Sequence, residues 1–363
     1  MKAKAAIFMG AGRDFEVREF DVVPAPAGYA RMELAASGVC GTDLHFHRGT
    51  LSAPVPSIIG HEFVGRITDI DPEEGARAGL RTGDAVIADI AVPCGECLLC
   101  REGDDANCVR MQVTNGGDIG VSPYLYGGYA EVNFTPVSNL IRVPDGVDPV
   151  IAAVFACPGP TVLHAVRLAK EAGVDFAALR TAVVQGLGPV GVFAVMYLKS
   201  LGIGRVIAVT AHENPERADL ARALGADEVL ALERCSDAAD KLAQENGGLG
   251  VDLCIEASGA PSAVPMGLGI LRNRGVYLIP GQYSASGGVE IQPQLITFKA
   301  LRILGTSQYS VSDVRGYLEF LRENPGLHGT IAKIPKKYPI SRINEAIADA
   351  KTPGNCKTLL VKG

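Results

Sequence analysis

The sequence has no tryptophan, only 6% aromatic residues and no long apolar run. No segment approaches the ~20 consecutive apolar residues that a transmembrane helix requires. The apolar run near the N-terminus is interrupted by Gly10 and Gly12, so it is too short for the hydrophobic part of a secretory signal. We therefore expect a cytoplasmic protein, in which thiols stay reduced and clustered cysteines bind metal more often than they pair.

Clusters of basic residues are also absent. The 34 basic and 40 acidic residues give a net charge of −6, and the lysines and arginines form no stripe that could follow a phosphate backbone. Nucleic acid is therefore not an expected partner. The composition, with 47% apolar residues and 43 glycines, is typical of a globular α/β protein. At 363 residues the chain exceeds what one core usually supports, which favours two domains.

The hydrophobic pattern changes near Cys157. Before it, short β-rich runs alternate with Pro, Gly and Asp turns, which predicts an irregular, mostly antiparallel β domain over residues 1–158. After it, strand and helix patterns alternate, which predicts a doubly wound parallel sheet over residues 159–298. Residues 299–363 are expected to complete the first domain. The predicted parallel strands are 181–185, 205–209, 228–232, 253–257, 275–280 and 302–306.

A glycine-rich turn follows the first of these strands and begins an apolar helix. It reads Gly186-Leu187-Gly188-Pro189-Val190-Gly191, a G-x-G-x-x-G pattern. In this context the glycines permit a tight turn, close approach of a pyrophosphate and close packing of helix on strand. A turn without a ligand is the alternative, but the strand and helix around it favour dinucleotide binding.

Four cysteines lie within one short segment: Cys94, Cys97, Cys100 and Cys108. Four soft thiolate ligands with no open position suit a structural zinc ion. The expected compartment disfavours disulfides, whereas an iron–sulfur cluster remains an alternative because it uses similar spacing.

A second set of candidate ligands is dispersed along the chain. Cys40, His61 and Cys157 would supply two thiolates and an imidazole, which leaves a fourth position open, as a catalytic zinc requires. Each residue alone is more often ordinary core packing.

Together these motifs resemble the zinc-containing medium-chain alcohol dehydrogenases over essentially the full length. The resemblance depends on the segment from Gly38 to His45, on Gly60-His61-Glu62, on the four-cysteine segment and on the glycine turn, in the family's order. It implies a chaperonin-10-like (GroES-like) catalytic domain joined to a Rossmann domain. It also implies two zinc ions and hydride transfer between a small alcohol, or its aldehyde or ketone, and NAD or NADP. A homo-oligomer, either a dimer or a tetramer, is expected.

The resemblance also implies roles for individual residues. Cys40, His61 and Cys157 would bind the catalytic zinc, with Glu62 beside it and able to join the metal. Thr42 would accept the substrate proton, and His45 would pass it to solvent. The remaining assignments are Thr161 near the nicotinamide and Lys357 near the pyrophosphate, although Lys357 read alone would be a solvated surface charge.

One cofactor position departs from the common pattern. The second parallel strand usually ends in an acid that binds the ribose hydroxyls, but here it ends in Thr210. His212 or Arg217 could then face a 2′-phosphate, whereas Glu213 could instead bind the ribose of NAD. These alternatives give a slight preference for NADP.

Other activities compete with this interpretation. An inactive relative acting as a binding protein would be expected to lose a ligand, and the zinc-free quinone-reductase branch lacks the cysteines. A polyol or sugar dehydrogenase of the same family stays open, although many of these use Glu where this chain has Cys157, which favours alcohols and ketones. The substrate-pocket candidates are Phe46, His47, Ile90, Tyr124 and Phe155.

Overall fold

The computed structural model describes residues 1–280 and 287–363. The chain forms two compact units, one of Met1–Pro160 with Tyr309–Gly363 and one of Thr161–Gln308. Within the described ranges, no helix combines the length and the apolar character that crossing a bilayer would demand.

Residues up to Pro160 form short strands with few helices. The strands are β1 (Lys2–Ile7), β2 (Glu16–Asp21), β3 (Tyr29–Val39), β4 (Glu62–Ile70), β5 (Ala85–Ala88), β6 (Ala91–Val92), β7 (Gln112–Val113), β8 (Val132–Pro136) and β9 (Leu140–Arg142). The helices are α1 (Gly41–Arg48), α2 (Pro72–Ala78), α3 (Leu98–Arg101), α4 (Pro149–Val154) and the start of α5 (Pro158–Glu171).

The second unit alternates strand and helix. Its strands are β10 (Thr181–Gln185), β11 (Arg205–Thr210), β12 (Glu228–Ala231), β13 (Val251–Glu256), β14 (Leu271–Pro280) and β15 (Arg302–Thr306). Its helices are the rest of α5, α6 (Pro189–Ser200), α7 (Pro215–Ala223), α8 (Ala238–Ala243), α9 (Glu245–Gly248), α10 (Ala263–Ile270) and α11 (Pro293–Lys299).

The C-terminal residues return to the first unit. They form α12 (Val311–Glu323), α13 (His328–Ile331), β16 (Pro335–Pro339), α14 (Ile343–Ala350) and β17 (Lys357–Val361). Strands β16, β17, β3, β4, β5 and β9 lie side by side in a seven-stranded sheet, with β8 also paired to β3. All of these pairs are antiparallel except β16 with β17.

Strand register in this sheet brings three chain segments to one place. Gly38 at the end of β3 pairs with Glu62 at the start of β4. On its other side, Val39 pairs with Thr358 at the start of β17. One residue beyond the paired positions lie Cys40 after Val39, His61 before Glu62 and Lys357 before Thr358. The pairing of the strands therefore brings these three residues close together. The hydrophobic core of this unit includes large buried side chains such as Phe63, Tyr129 and Phe134.

The six-stranded sheet of the second unit is parallel, in the order β12, β11, β10, β13, β14, β15. The predicted α/β fold class is confirmed. Strand order reverses between β10 and β13, and ligands of such sheets bind at that reversal. Every residue of β10 is buried, as expected for a central strand covered on both faces.

Two features differ from the sequence-based expectations. Strand β15 belongs to the parallel sheet, so the second unit continues to Gln308, ten residues beyond the predicted boundary at Phe298. Strand β16, which was not predicted, has the sequence Pro-Lys-Lys-Tyr-Pro and lies at a sheet edge. Proline and lysine are what edge strands tolerate, and such a pattern lacks the apolar alternation of an interior strand.

Candidate active site

The dispersed candidate ligands meet in the first unit. Cys40 precedes α1, Cys157 lies between α4 and α5, and His61 and Glu62 are at the start of β4. One ligand atom from each of the four residues lies within 4.8 Å of the others. The structure therefore brings together all four candidates, Cys40, His61, Glu62 and Cys157.

The donor set fits a zinc ion. Two sulfurs bound about 2.3 Å from one tetrahedral zinc would be about 3.8 Å apart, and Cys40 Sγ and Cys157 Sγ are separated by 4.0 Å. The Glu62 Oε1 atom is buried and has no hydrogen-bond partner among the described residues. A buried carboxylate oxygen without a partner is costly, and a cation at the centre of this cluster would compensate it.

Electrostatics within the cluster favour a thiolate at Cys40. A hydrogen bond shared with Cys157 is the main reason that the pKa of Cys40 lies well below its usual range, and the neighbouring His61 and Lys357 contribute. Burial raises the pKa of Glu62 to about 7, although the Lys357 cation opposes this effect. The cluster thus favours negative charge at the Cys40 sulfur, whereas the same hydrogen bond raises the pKa of Cys157, whose thiol would lose its proton on binding a metal.

The alternative interpretation of Lys357, a solvated surface charge, was wrong, whereas its expected place near the pyrophosphate stays a prediction. This side chain is fully buried, forms an ion pair with Glu62 and lies 3.4 Å from the carbonyl oxygen of Val39. Burial would lower the pKa of Lys357, but Glu62 together with the neighbouring Cys40 and Cys157 outweighs that effect and raises it. The pairing of β17 with β3 puts the lysine there, and that long-range contact has no local sequence signal.

Sequence analysis also did not predict the role of Asp43, which contacts two of the candidate ligands, Cys40 and His61. Its Oδ2 atom accepts hydrogen bonds from the Cys40 backbone N–H at 2.9 Å and the Tyr129 hydroxyl at 2.6 Å. Its Oδ1 atom lies 3.3 Å from His61 Nδ1. Burial would lower the pKa of His61, but the Asp43 carboxylate and Cys40 together outweigh this effect and raise it. The position of Asp43, three residues after Cys40, could have indicated a helix-capping carboxylate.

Helix α1 carries the two residues predicted to move protons. The Thr42 hydroxyl lies 3.8 Å from Cys40 Sγ, which puts it at the cluster. One turn later, His45 Nδ1 forms a 2.9 Å hydrogen bond with the Thr50 hydroxyl. Partial burial, with a contribution from Arg48, lowers the pKa of His45, so its ring stays neutral to lower pH. Residues three apart share a helix face, which makes a path from Thr42 to His45 geometrically reasonable.

The four cysteines of residues 94–108 form a second cluster. Their sulfurs all lie within 4.8 Å of one another, and Cys97 Sγ and Cys100 Sγ are 3.4 Å apart. Backbone N–H groups point at these sulfurs, with that of Arg110 3.4 Å from Cys108 Sγ. The N–H of Glu96 is the main reason that the pKa of Cys94 falls to about 6. This arrangement fits a tetrahedral metal with four sulfur ligands.

In the second unit the glycine turn has the geometry that a dinucleotide needs. Gly186 has φ of 93°, and a Cβ there would lie 2.7 Å from the Ser258 backbone. A Cβ at Gly191 would meet the Gly186 carbonyl oxygen at 1.9 Å, so only glycine lets α6 pack on the turn. A Cβ at Gly188, the residue that caps α6, would meet no atom within 4 Å. The open space beside a helix N-terminus is where a phosphate binds.

Side chains near the end of β11 are already paired. Thr210 donates its hydroxyl to the His212 carbonyl at 2.9 Å. The Glu213 carboxylate is 3.0 Å from Arg234, and Glu233 forms a 2.9 Å contact with His212 Nδ1. Arg217 donates to the Leu187 carbonyl at 3.1 Å, which puts its guanidinium beside the glycine turn.

Three of the pocket candidates have different surroundings. Phe155 is fully buried next to Cys157 in sequence, whereas His47 stacks against Phe15 at 6.2 Å and Tyr124 against Phe20 at 6.1 Å.

Sequence reasoning did not single out Tyr309, which is 3% exposed. Burial raises the pKa of this phenol, with contributions from Cys157, Asp89 and Glu62, so it lies within electrostatic range of the cluster.

Comparison with known proteins identifies the family. Residues 26–145 match the alcohol dehydrogenase GroES-like domain, and residues 189–323 match the zinc-binding dehydrogenase domain. The 5-exo-hydroxycamphor dehydrogenase of Pseudomonas putida is 34% identical over 318 residues, which are 84% of this chain and 83% of that protein. The chain belongs to the zinc-type alcohol dehydrogenase family.

Other relatives agree with this assignment. The erythritol/L-threitol dehydrogenase of Mycolicibacterium smegmatis is 32% identical over 288 residues, 76% of each protein. An alcohol dehydrogenase from Thermotoga maritima superposes with a TM-score of 0.90 at 26% identity, covering 100% of both chains. The predicted family is thus confirmed, and this zinc-type alcohol dehydrogenase is an NAD(P)-dependent oxidoreductase of alcohols and carbonyl compounds.

Proposed function

We propose that Cys40, His61 and Cys157 hold the catalytic zinc of this dehydrogenase, with Glu62 as an additional ligand. The observation that carries the proposal is the buried group of four donor atoms within 4.8 Å of one another. When bound, zinc supplies a Lewis acid that polarises the oxygen of the alcohol or carbonyl substrate. The second cluster, Cys94 with its three partner cysteines, would hold a structural zinc, giving two ions per chain.

The side chains of α1 account for the proton that leaves during alcohol oxidation. In this proposal the Thr42 hydroxyl, beside Cys40, accepts the proton of the substrate hydroxyl as it passes its own toward His45. Thr50 orients the His45 ring, and the lowered pKa of His45 keeps a neutral acceptor present near neutral pH. His45 then releases the proton to solvent.

We propose secondary alcohols and ketones as the substrate class. Cys157 stands where many polyol dehydrogenases of the family have Glu. Phe155, two residues earlier in the sequence, and Tyr309 are buried aromatic residues, and Cys157 contributes to the raised pKa of Tyr309. A relative named for the alicyclic alcohol 5-exo-hydroxycamphor supports this choice. A relative named for erythritol and L-threitol keeps polyols as the second candidate.

The function is tested by alcohol-dependent formation of reduced cofactor, followed at 340 nm, with cyclic secondary alcohols and a four-carbon polyol compared directly. Chelation should abolish turnover, and added Zn²⁺ should restore it. The variant His61→Ala should stay inactive after the same treatment. Full activity of chelated protein with verified absence of zinc would overturn the metal assignment.

We further propose that the enzyme accepts NADP at least as well as NAD. Thr210 neither repels a 2′-phosphate nor binds a free ribose hydroxyl as strongly as an acid would. Glu213 is engaged by Arg234, and the guanidinium of Arg217 lies beside the turn that would hold the pyrophosphate. A charge-assisted hydrogen bond from Arg217 would contribute about 1.5–3 kcal/mol, or one to two orders of magnitude in preference.

Cofactor choice is measured as kcat/KM for both dinucleotides. Arg217→Ala should reduce the value for NADP about 10-fold or more and leave that for NAD nearly unchanged. Thr210→Asp should move the preference toward NAD. A strong NAD preference that collapses in Glu213→Ala would instead show that Glu213 binds the ribose.

A further inference from the structure

Tyr129 contacts the segment that carries His61 in two ways. Its ring packs so closely on Gly60 that a Cβ there would lie 2.3 Å from the ring. The backbone beside it is also joined to this segment, since the Gly128 N–H donates to the Gly60 carbonyl at 2.7 Å. The residue immediately before the proposed ligand His61 is therefore held against the Tyr129 ring.

The Tyr129 hydroxyl reaches the same ligand by a second route. It donates to Asp43 Oδ2 at 2.6 Å in a fully buried contact. Asp43 in turn accepts the Cys40 N–H at 2.9 Å and faces His61 Nδ1 at 3.3 Å. The Tyr129 hydroxyl thus holds the Asp43 carboxylate in place. That carboxylate contacts two proposed ligands, Cys40 through its backbone N–H and His61 through its ring.

We propose that Tyr129 is a positioning residue for the catalytic metal, acting through Asp43. An Asp43 carboxylate facing Nδ1 leaves Nε2 of His61 as the ligand nitrogen, and such outer carboxylates tune metal affinity. Without the phenol donor, the buried Asp43 carboxylate loses one of its hydrogen bonds and can turn away from His61. This inference rests on the proposed zinc site and adds to it a residue that touches neither the metal nor the substrate.

The test uses Tyr129→Phe, which removes the hydroxyl and keeps the ring against Gly60. Tyr317→Phe is the matched control, because Tyr317 is equally buried and donates to the Ala152 carbonyl at 2.9 Å. Zinc affinity is measured on the full-length chain by competition with a chromophoric chelator, with Zn²⁺ alone as the probe. The four-cysteine cluster serves as an internal reference within each protein.

Tyr129→Phe should weaken zinc binding at the Cys40 cluster about 10-fold and leave the four-cysteine cluster unchanged. Tyr317→Phe should change neither affinity. In an Asp43→Asn background, adding Tyr129→Phe should have less than about a twofold further effect, because the hydroxyl acts through Asp43. With Co²⁺ in place of zinc, the absorption bands of the cluster should shift in Tyr129→Phe and not in Tyr317→Phe.

Several outcomes would overturn the proposal. These are an unchanged affinity in Tyr129→Phe, an equal loss in Tyr317→Phe, or a full 10-fold loss in the Asp43→Asn background. Failure of the zinc site itself has a different signature, since wild-type protein and Cys157→Ala would then bind the same amount of zinc.

Discussion

The two candidate metal clusters of this dehydrogenase are built in opposite ways. The four-cysteine cluster takes every ligand from residues 94–108, and backbone N–H groups of the same segment point at its sulfurs. The Cys40 cluster takes its ligands from three separate segments that meet only because β3, β4 and the α4–α5 connection are packed together. The first is a local structure, whereas the second is a product of the whole unit.

The two clusters also differ in the side chains that surround them. Buried side chains from distant parts of the sequence support the Cys40 cluster: Asp43 and Tyr129 on one side and the Lys357 cation paired with Glu62 on the other. Among these, Lys357 comes from the last strand of the chain. A cluster that depends on such contacts can be tuned by many residues, whereas a metal ion held within one short segment would mainly stabilise the fold.

The largest expected effect on activity comes from removing a proposed ligand of the Cys40 cluster. Cys157→Ala should lower kcat by about 1,000-fold or more, because losing a thiolate ligand costs several kcal/mol of metal-dependent stabilisation. Dinucleotide binding, measured by fluorescence of the reduced cofactor, should persist because the glycine turn is unchanged. Retained turnover with a full zinc content would show that Cys157 is not a ligand.

Removing a ligand of the four-cysteine cluster should have a different effect. Cys97→Ser should reduce the zinc content from two to one per chain and lower Tm by about 5–10 °C, since a structural zinc contributes directly to folding. The zinc that remains should support kcat within about threefold of wild type at low temperature, because no catalytic group is touched. A wild-type content near one, unchanged by this substitution, would remove the structural site.

This contrast also explains how far sequence could predict the molecule. The spacing of Cys94, Cys97, Cys100 and Cys108 indicates their cluster directly. The glycine turn can also be predicted from the sequence, because φ at Gly186 and the close contact at Gly191 exclude other residues. Several parallel strands were predicted to within a residue or two, since buried strands are continuous apolar runs.

Contacts set by tertiary packing were not predictable in the same way. Nothing local distinguishes Lys357 from a surface lysine, because its burial follows from the register between β17 and β3. Asp43 and Tyr129 meet across 86 residues of sequence. The grouping of Cys40, His61 and Cys157 was suggested by their ligand chemistry and supported by resemblance to a family, because their spacing along the chain gives no signal of its own.

A smaller effect is expected from the proposed proton path through Thr42 and His45 beside the Cys40 cluster. His45→Ala should slow alcohol oxidation about 10- to 100-fold near pH 6, where solvent is a poor proton acceptor. The effect should shrink as pH rises, because hydroxide can then take the proton, and added imidazole should partly restore the rate. The matched substitution His328→Ala, in α13, should leave the pH profile unchanged. An identical profile for His45→Ala and wild type would assign proton release to water alone.

The last prediction concerns the contribution to stability of Asp89, a buried residue that precedes the four-cysteine cluster in the sequence. It follows β5, five residues before Cys94, and its carboxyl is 1% exposed. Burial raises its pKa to about 7, with smaller contributions from Asp105 in the cysteine segment and from Asp313.

The sign of the resulting pH dependence follows from this raised pKa. Because the folded protein binds this proton more tightly than the unfolded chain, Asp89 lowers the free energy of unfolding as pH rises from about 4 to about 7. The slope from this single group approaches about 1.4 kcal/mol per pH unit in the middle of that range. Asp89→Asn removes the ionisation, so its stability relative to wild type should increase from pH 5 to pH 8, as measured by urea unfolding with zinc present. Other titrating groups cancel in that difference, and a difference that stays constant with pH would show that Asp89 is ionised at little cost in the folded protein.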